Sequence, residues 1–468
     1  MKKTKIICSI GPSSNNYETF KSLIEAGMNV ARVNFSHATL EERQIVEDLV
    51  ERANRELNTN IGLLYDTKGP EFRNGEIENN EVELVEGRKI RIVKEKVLGN
   101  SERFSVNHPN SIEKINVGDI VLLVNGLIRL EVISKEEDGI TCKILNGGVL
   151  GSHKSMSVPG VDLEIPFIND VDKEDITYAC LHNGDYLALS FVSSVKDIRE
   201  AKKILKENNR EDMQIISKIE SVMGIGNLDE IIAESDGIMI ARGDLGVEVP
   251  MTMLPKYQKD IIRKCRECGK FVIVATEMLV SMKKSIRPTR AEVSDVANAV
   301  FNGTDAVMLS DETTIGNYPV ETVKCMADIC ENAEEFYTYD KEFAVKWESN
   351  ITETIAKSVK AACKGIGAKA IVAATMSGKT ARKISNLKPI SLVIATVPSR
   401  KVARALALNW AVYPVVVAEY NSTDEVVNDG IKQAKEFMNL QKDDIIIITG
   451  GFPNTGVKTT NFMKIEKI

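Results

Sequence analysis

Lys218 and Glu220 stand two residues apart at the end of an apolar run, Gln214 to Ile219. On a strand that spacing turns both side chains to one face. Asp244 follows another such run and supplies a second carboxylate. Two carboxylates with open positions suit Mg²⁺, which keeps waters and takes substrate oxygens. Arg32 and Lys218 add two cations, and cations beside such a site point to a phosphorylated anion as substrate. Gly243 at a strand-to-helix turn lets backbone amides approach a carboxylate or phosphate. A metal, a lysine, an arginine and only 4 histidines (His37, His108, His153, His182) make equipment for phosphoryl transfer and exclude a histidine-rich metal centre. Asn34, Ser36, Asp66 and Thr67 are oxygen donors with one charge between them. That set suits either a weakly held monovalent cation or the ordinary hydrogen-bonding needs of loops.

These residues need a frame that brings them to one place. Charges close one apolar run after another: Arg32 to His37, Asp66-Thr67-Lys68, Lys218 to Glu220, Arg242-Gly243-Asp244, Thr276-Glu277 and Ser310-Asp311-Glu312. The runs alternate with helix-like segments, three of them before Glu71 and five after Asp170, which predicts a (β/α)₈ barrel with function at its carboxyl-end mouth. An open doubly wound sheet is the alternative, but it normally carries fewer strands in this length. Between Glu71 and Pro166 the pattern changes to alternating strands, with a hairpin turn at Glu136-Glu137-Asp138-Gly139. The predicted organisation is therefore a catalytic barrel over 1–70 and 167–340 and an inserted β-barrel lid over 71–166. A C-terminal α/β domain fills 341–468, with runs at Ala370–Ala374, Leu392–Ala395, Val412–Val417 and Ile445–Ile448. Helices are predicted at Gly224–Glu234, Ser399–Leu408 and Thr423–Phe437, among others.

Composition narrows the classes of function. The 468 residues carry 60 Lys+Arg against 67 Asp+Glu, a net charge of −7, which does not suit a general nucleic-acid binder. The longest charge-free run, Ala405–Ala418, contains Pro414 and falls short of the roughly 20 residues of a membrane span. The basic start Met1–Lys5 leads into a strand rather than a secretory signal. Eight scattered cysteines read as a reduced, cytoplasmic thiol set, and Cys265-x-x-Cys268 has no second pair to complete a zinc site.

The motifs MNVARVNFSH (28–37), LLYDTKGPEFRNG (63–75), IISKIES (215–221), IMIARGDLGVEVP (238–250), VATEML (274–279) and RPTRAEVSDVANAV (287–300) together resemble pyruvate kinase. The resemblance runs over essentially the whole chain. It implies transfer of the phosphoryl group of phosphoenolpyruvate to ADP, giving pyruvate and ATP, the last step of glycolysis. It implies that Arg32 binds phosphate, that Glu220 and Asp244 hold Mg²⁺ (or Mn²⁺), and that Asn34, Ser36, Asp66 and Thr67 hold K⁺. Lys218 resembles the lysine that stabilises the moving phosphoryl group and the enolate. Gly243 and Asp244 resemble the amides that meet the substrate carboxylate, and Thr276 resembles the residue near the carbon that gains a proton. Asn34, Arg73, His37 and Lys154 match positions that meet the nucleotide. Glu71 stands where, in this family, Glu goes with K⁺ dependence and Lys with independence. Thr375, Ser377, Gly378, Lys379 and Thr380 follow a strand and open a helix; the family binds sugar phosphates at this loop. Fructose 1,6-bisphosphate is the first candidate effector, with AMP or another sugar phosphate behind it. The family is also a homotetramer.

The sequence departs from that family in three places. Glu277 stands where Gln is usual, and Asp311 where Gly is usual. The loop Gly450-Gly451-Phe452-Pro453-Asn454 lacks the expected effector-binding pattern. A barrel aldolase or lyase would share the Glu220/Asp244 site but would not need the lid, the monovalent-cation set or Lys218. A sugar-phosphate sensor on a decayed kinase would predict a broken site, and here every motif residue is present.

Overall fold

The structure is a computed structural model and describes residues 1–339, 350–451 and 459–468. Eight parallel strands close into a barrel in chain order: β1 (Lys5–Ser9), β2 (Val30–Asn34), β3 (Gly62–Asp66), β4 (Tyr186–Leu189), β5 (Gln214–Ile219), β6 (Gly237–Ala241), β7 (Phe271–Ala275) and β8 (Ala306–Leu309). The alternation of apolar runs with helices is thus realised as a barrel, and the open sheet is excluded. The strands read as nearly unbroken apolar runs because both faces are covered, as in FVIVA of β7, where every residue is buried. One set of side chains fills the interior: Ile7, Val30, Leu64, Tyr186, Met239 and Ile273. The other set packs outward on the helices. Capping boxes start several of these helices, with Thr39 and Glu42 before Leu40–Glu56 and Thr289 and Glu292 before Arg290–Asn302.

The inserted segment contains no α-helix among the described residues. Its strands are joined at both edges by the segment around Arg73 and Asn74, which pairs with Ser155 beside one edge strand and with Val106 beside the other. They make a six-stranded sheet, in which Lys89–Val93 runs parallel to Arg103–Ser105 and the other pairs are antiparallel, plus a separate pair, Glu81–Leu84 with Gly148–Gly151. The hairpin Ile128–Glu136/Gly139–Asn146 forms at the predicted turn. Register shifts after Arg129 and Val132 bend it. The sheet encloses its own apolar cluster around Phe104, Leu130 and Ile144.

The C-terminal unit is a five-stranded sheet, four strands parallel and the edge strand Phe462–Lys467 antiparallel. The sequence reading missed that edge strand and the helices Asp170–Leu181 and Ile351–Ile366, while the helix opened by the Thr375 to Thr380 loop is found at Lys379–Asn386. The predicted helix Gly224–Glu234 is instead two, Val222–Gly226 and Leu228–Glu234, meeting at Asn227. Ser399–Leu408 is α-helical only over Arg400–Arg404. Its apolar end serves another purpose: Ala407 and Leu408 leave the C-terminal unit and join the cluster inside the barrel. Tyr186 fixes them there, donating to Arg404 O at 3.0 Å and accepting from Leu408 N at 3.3 Å. Arg404 also pairs with Asp185 at 2.8 Å. The predicted border at 340/341 lies outside the described residues, as do Phe452, Pro453 and Asn454 of the companion loop. Among the described residues no helix is long and apolar enough to cross a membrane.

Candidate active site

A cavity of about 350 Å³ lies between the barrel mouth and the inserted sheet, with Arg32, Lys218 and Glu220 on the barrel side and Arg73, Ser155 and Met156 on the other. Residue spacing explains the convergence. Arg32 and Asn34 end β2 on one face, Asp66 ends β3, Lys218 lies near the end of β5 and Glu220 directly follows it. Asp244 and Thr276 follow β6 and β7.

Asp66 is fully buried and organises the two cations. Arg32 Nε and Nη2 each lie 2.7 Å from Asp66 Oδ2, and Lys218 Nζ lies 3.1 Å from Oδ1. Burial works against the charge on Asp66, but Lys218 and Arg32 outweigh it and hold its pKa below the usual value. Burial likewise opposes the Lys218 ammonium, and Asp66 and Glu220 outweigh it, so its pKa is raised. Arg32 also donates from Nη1 to Ser9 Oγ at 2.7 Å, and Lys218 donates to Ser190 Oγ at 2.7 Å. Both cations are therefore fixed in position before any anion arrives.

Glu220 is 1 % exposed. Its Oε2 accepts from Phe191 N at 2.6 Å, while Oε1 sits 3.1 Å from Lys218 Nζ but accepts no hydrogen bond. Burial, reinforced by the charge of Asp244, raises its pKa to about 7. A buried carboxylate oxygen that accepts no hydrogen bond, with the exposed Asp244 lining the same cavity, fits a hard divalent cation that keeps waters. Asn34, Ser36 and Thr67 line the same cavity. With the Asp66 charge already offset, that oxygen set is close to neutral, which suits a monovalent ion.

Thr276 and Glu277 both have positive φ, 67° and 54°. For a β-branched residue that is a strained conformation, costing on the order of 1–3 kcal/mol. Thr276 Oγ1 accepts from Gly243 N at 2.7 Å and donates to Ala275 O at 2.6 Å. The Gly243 amide expected to face the substrate is thus engaged by the Thr276 hydroxyl. His37 and Lys154 are exposed and do not line the cavity. Arg73 does; it donates to His153 O at 2.7 Å and grips Glu71 through two hydrogen bonds of 2.9 and 2.5 Å. Glu277 and Asp311 are exposed and stay out of the cavity lining, and Asp311 pairs with Lys283 at 2.9 Å. The loop Thr375 to Thr380 lies elsewhere, where Gly378 (φ 80°) precedes the helix Lys379–Asn386 and no side chain caps it. Ser9, Ser190 and Phe191 are parts of the site that the sequence reading did not single out. The only signal for the last two was the hydroxyl-bearing end of β4, Ser190-Phe191-Val192-Ser193-Ser194, which carries no charge.

Comparisons with known proteins place the chain in a family. The family model described as pyruvate kinase, barrel domain, matches residues 1–323, and that described as pyruvate kinase, alpha/beta domain, matches residues 353–466. A pyruvate kinase of Staphylococcus epidermidis is 44% identical over 473 residues, covering 100% of this chain and 81% of its own length. One of Clostridium acetobutylicum is 40% identical over 472 residues, covering 100% of both. The crystal structure of a pyruvate kinase from Cryptosporidium parvum superposes with a TM-score of 0.95 at 39% identity, covering 100% of this chain and 96% of that one. The barrel, the C-terminal sheet and the mouth-end cluster thus stand in a chain that belongs to the pyruvate kinase family and is a phosphotransferase.

Proposed function

We propose that this cleft transfers the phosphoryl group of phosphoenolpyruvate to ADP, yielding pyruvate and ATP. The observation that carries the reading is Lys218 Nζ, held 3.1 Å from both Asp66 Oδ1 and Glu220 Oε1 at the barrel mouth. A preorganised ammonium beside a buried arginine and a carboxylate site is what a transferring phosphoryl group and a departing enolate require. Glu220 and Asp244 would hold Mg²⁺, whose chemistry there is to neutralise phosphate and carboxylate oxygens. Asn34, Ser36, Asp66 and Thr67 would hold K⁺. Arg32 binds the phosphate and Lys218 stabilises the enolate. Thr276 stands beside the carbon that takes the proton, and the amide of Asp244 serves the substrate carboxylate, that of Gly243 being engaged by Thr276 Oγ1. Arg73 meets the nucleotide, with Asn34, His37 and Lys154 reaching it as the inserted domain (71–166) closes and excludes water. The test is a coupled assay for pyruvate from phosphoenolpyruvate. Formation that depends on ADP supports the reading; formation without ADP overturns it in favour of a lyase or hydrolase.

The remaining features follow from the same reading. The protein is cytoplasmic and homotetrameric, with helical faces such as Arg290–Asn302, which exposes Val293 and Phe301, in the contacts. A monomer in light scattering at micromolar concentration would contradict this. The loop Thr375-Met376-Ser377-Gly378-Lys379-Thr380 takes a sugar phosphate or AMP as effector.

A further inference from the structure

We infer that Arg242 is a positioning residue for Thr276. Its guanidinium holds the strained turn after β7 in the conformation that aims the Thr276 hydroxyl. The inference rests on the assignment of Thr276 above.

Arg242 is the first residue after β6, and its side chain is 8 % exposed. Nη2 donates to Thr276 O at 2.7 Å and lies 3.3 Å from Glu277 O, while Nε lies 3.3 Å from Thr276 O. Thr276 and Glu277 are consecutive residues with positive φ. Turning two such peptides leaves their carbonyls out of the strand ladder, and buried carbonyls need donors. A single planar guanidinium serves both. On its other side Nη1 donates to Asp295 Oδ1 and Oδ2 at 2.7 and 2.6 Å, anchoring the fork to the helix Arg290–Asn302. The next residue completes the clamp, because Gly243 N donates to Thr276 Oγ1 at 2.7 Å. Residues 242 and 243 thus fix Thr276 by its carbonyl and by its hydroxyl.

A lysine cannot reproduce this. It keeps the charge, but its three donors converge on one nitrogen and cannot span Thr276 O and the Asp295 carboxylate in one plane. Arg242→Lys therefore keeps a cation in the pocket and loses the positioning.

The test separates proton transfer at carbon from the rest of the reaction. In deuterated solvent with Mg²⁺, K⁺ and ATP, one methyl proton of pyruvate leaves and a solvent deuteron returns, which proton NMR follows. Arg242→Lys and Thr276→Ala should each slow this exchange at least about tenfold. Their combination should be no slower than the slower single variant, within about twofold, because both remove the same placement. Melting temperatures should stay within about 3 °C of wild type. Wild-type exchange in folded Arg242→Lys, with Thr276→Ala slow, overturns the inference. So does a double variant whose loss equals the product of the two single losses. Wild-type exchange in Thr276→Ala alone overturns the assignment of Thr276 instead. If Arg242→Lys does not fold, Asp295→Asn decides. It should slow exchange in the same direction without adding to Thr276→Ala, and an unchanged rate overturns the inference.

Discussion

Asp66 Oδ1 and Lys218 Nζ lie 3.1 Å apart where Asp66 is fully buried and Lys218 nearly so, and the same carboxylate holds Arg32 on its other oxygen. The two cations at the barrel mouth are thus aligned by one anion that does not line the cavity.

Lys218→Met should lower turnover by more than about 100-fold, since one preorganised donor is worth about 10² to 10³. Arg32 keeps Asp66 paired, so the fold survives, which circular dichroism checks. Near-normal turnover in the folded variant would remove Lys218 from the mechanism.

Leu408→Ala should destabilise by about 2–5 kcal/mol, because Leu408 is fully buried inside the barrel although it belongs to the C-terminal unit. Equilibrium urea unfolding reads this directly. A loss below about 1 kcal/mol would mean that the plug does not hold the barrel base.

The barrel was legible because its strands are buried on both faces and so stay apolar throughout, and because charges then stand out at their ends. Ser190 and Phe191 escaped because β4 ends without a charge. What Phe191 contributes is a backbone amide, turned toward Glu220 by a φ of 56° that no residue type announces. Thr276 and Glu277 were legible as a strand end, but the left-handed turn they form was not. Ala407 and Leu408 read as the end of the helix Ser399–Leu408, since an apolar run cannot distinguish a helix end from a plug seated in another unit. The inserted unit was legible as all-β because alternation fixes which face is buried, while the link between its sheet edges rests on the isolated bridges of Arg73 and Asn74, which no strand pattern announces.

Proton and metal should compete for Glu220. Its pKa is raised to about 7 by burial and then by Asp244, so the metal-free carboxyl is mostly protonated below that pH. Mn²⁺ affinity, followed by calorimetry, should fall by up to about tenfold per pH unit below 7 and level off above it. In the metal-free protein the linkage has the matching sign. The folded state holds the extra proton between about 4.5 and 7, so stability is fullest below this window and declines as pH rises through it. A pH-independent affinity between 6 and 8 would remove Glu220 as a ligand.

Ser377→Asp should abolish binding of a phosphorylated effector, since a carboxylate would face the phosphate beside the uncapped helix Lys379–Asn386. Titration of fructose 1,6-bisphosphate, AMP and other sugar phosphates against both proteins reads this. Absence of binding in wild type, or equal binding in both, would end the proposal for the loop.

Activity should require K⁺, and Glu71 should govern the requirement. Glu71 carries no free charge toward the cleft: Arg73 grips it at 2.5 and 2.9 Å, and Lys68 lies at 3.2 Å. Half-burial works against its ionisation, but these two cations outweigh that and hold its pKa below the usual value. Glu71 therefore offsets the charge of Arg73 and Lys68, which line the same cavity as Asn34, Ser36 and Thr67. In Glu71→Lys the new ammonium replaces that negative charge with a positive one, and Arg73 is released. A nearby lysine can supply the positive charge that K⁺ would otherwise bring to the phosphoryl group. The measurement is turnover in tetramethylammonium buffer, then with KCl added at fixed ionic strength. Wild type should be nearly inactive without K⁺, and Glu71→Lys should regain part of the rate. Full activity of wild type without K⁺ would refute Asn34, Ser36, Asp66 and Thr67 as an essential cation site. A Glu71→Lys variant as dependent on K⁺ as wild type would leave the cation site standing and remove Glu71 as its determinant.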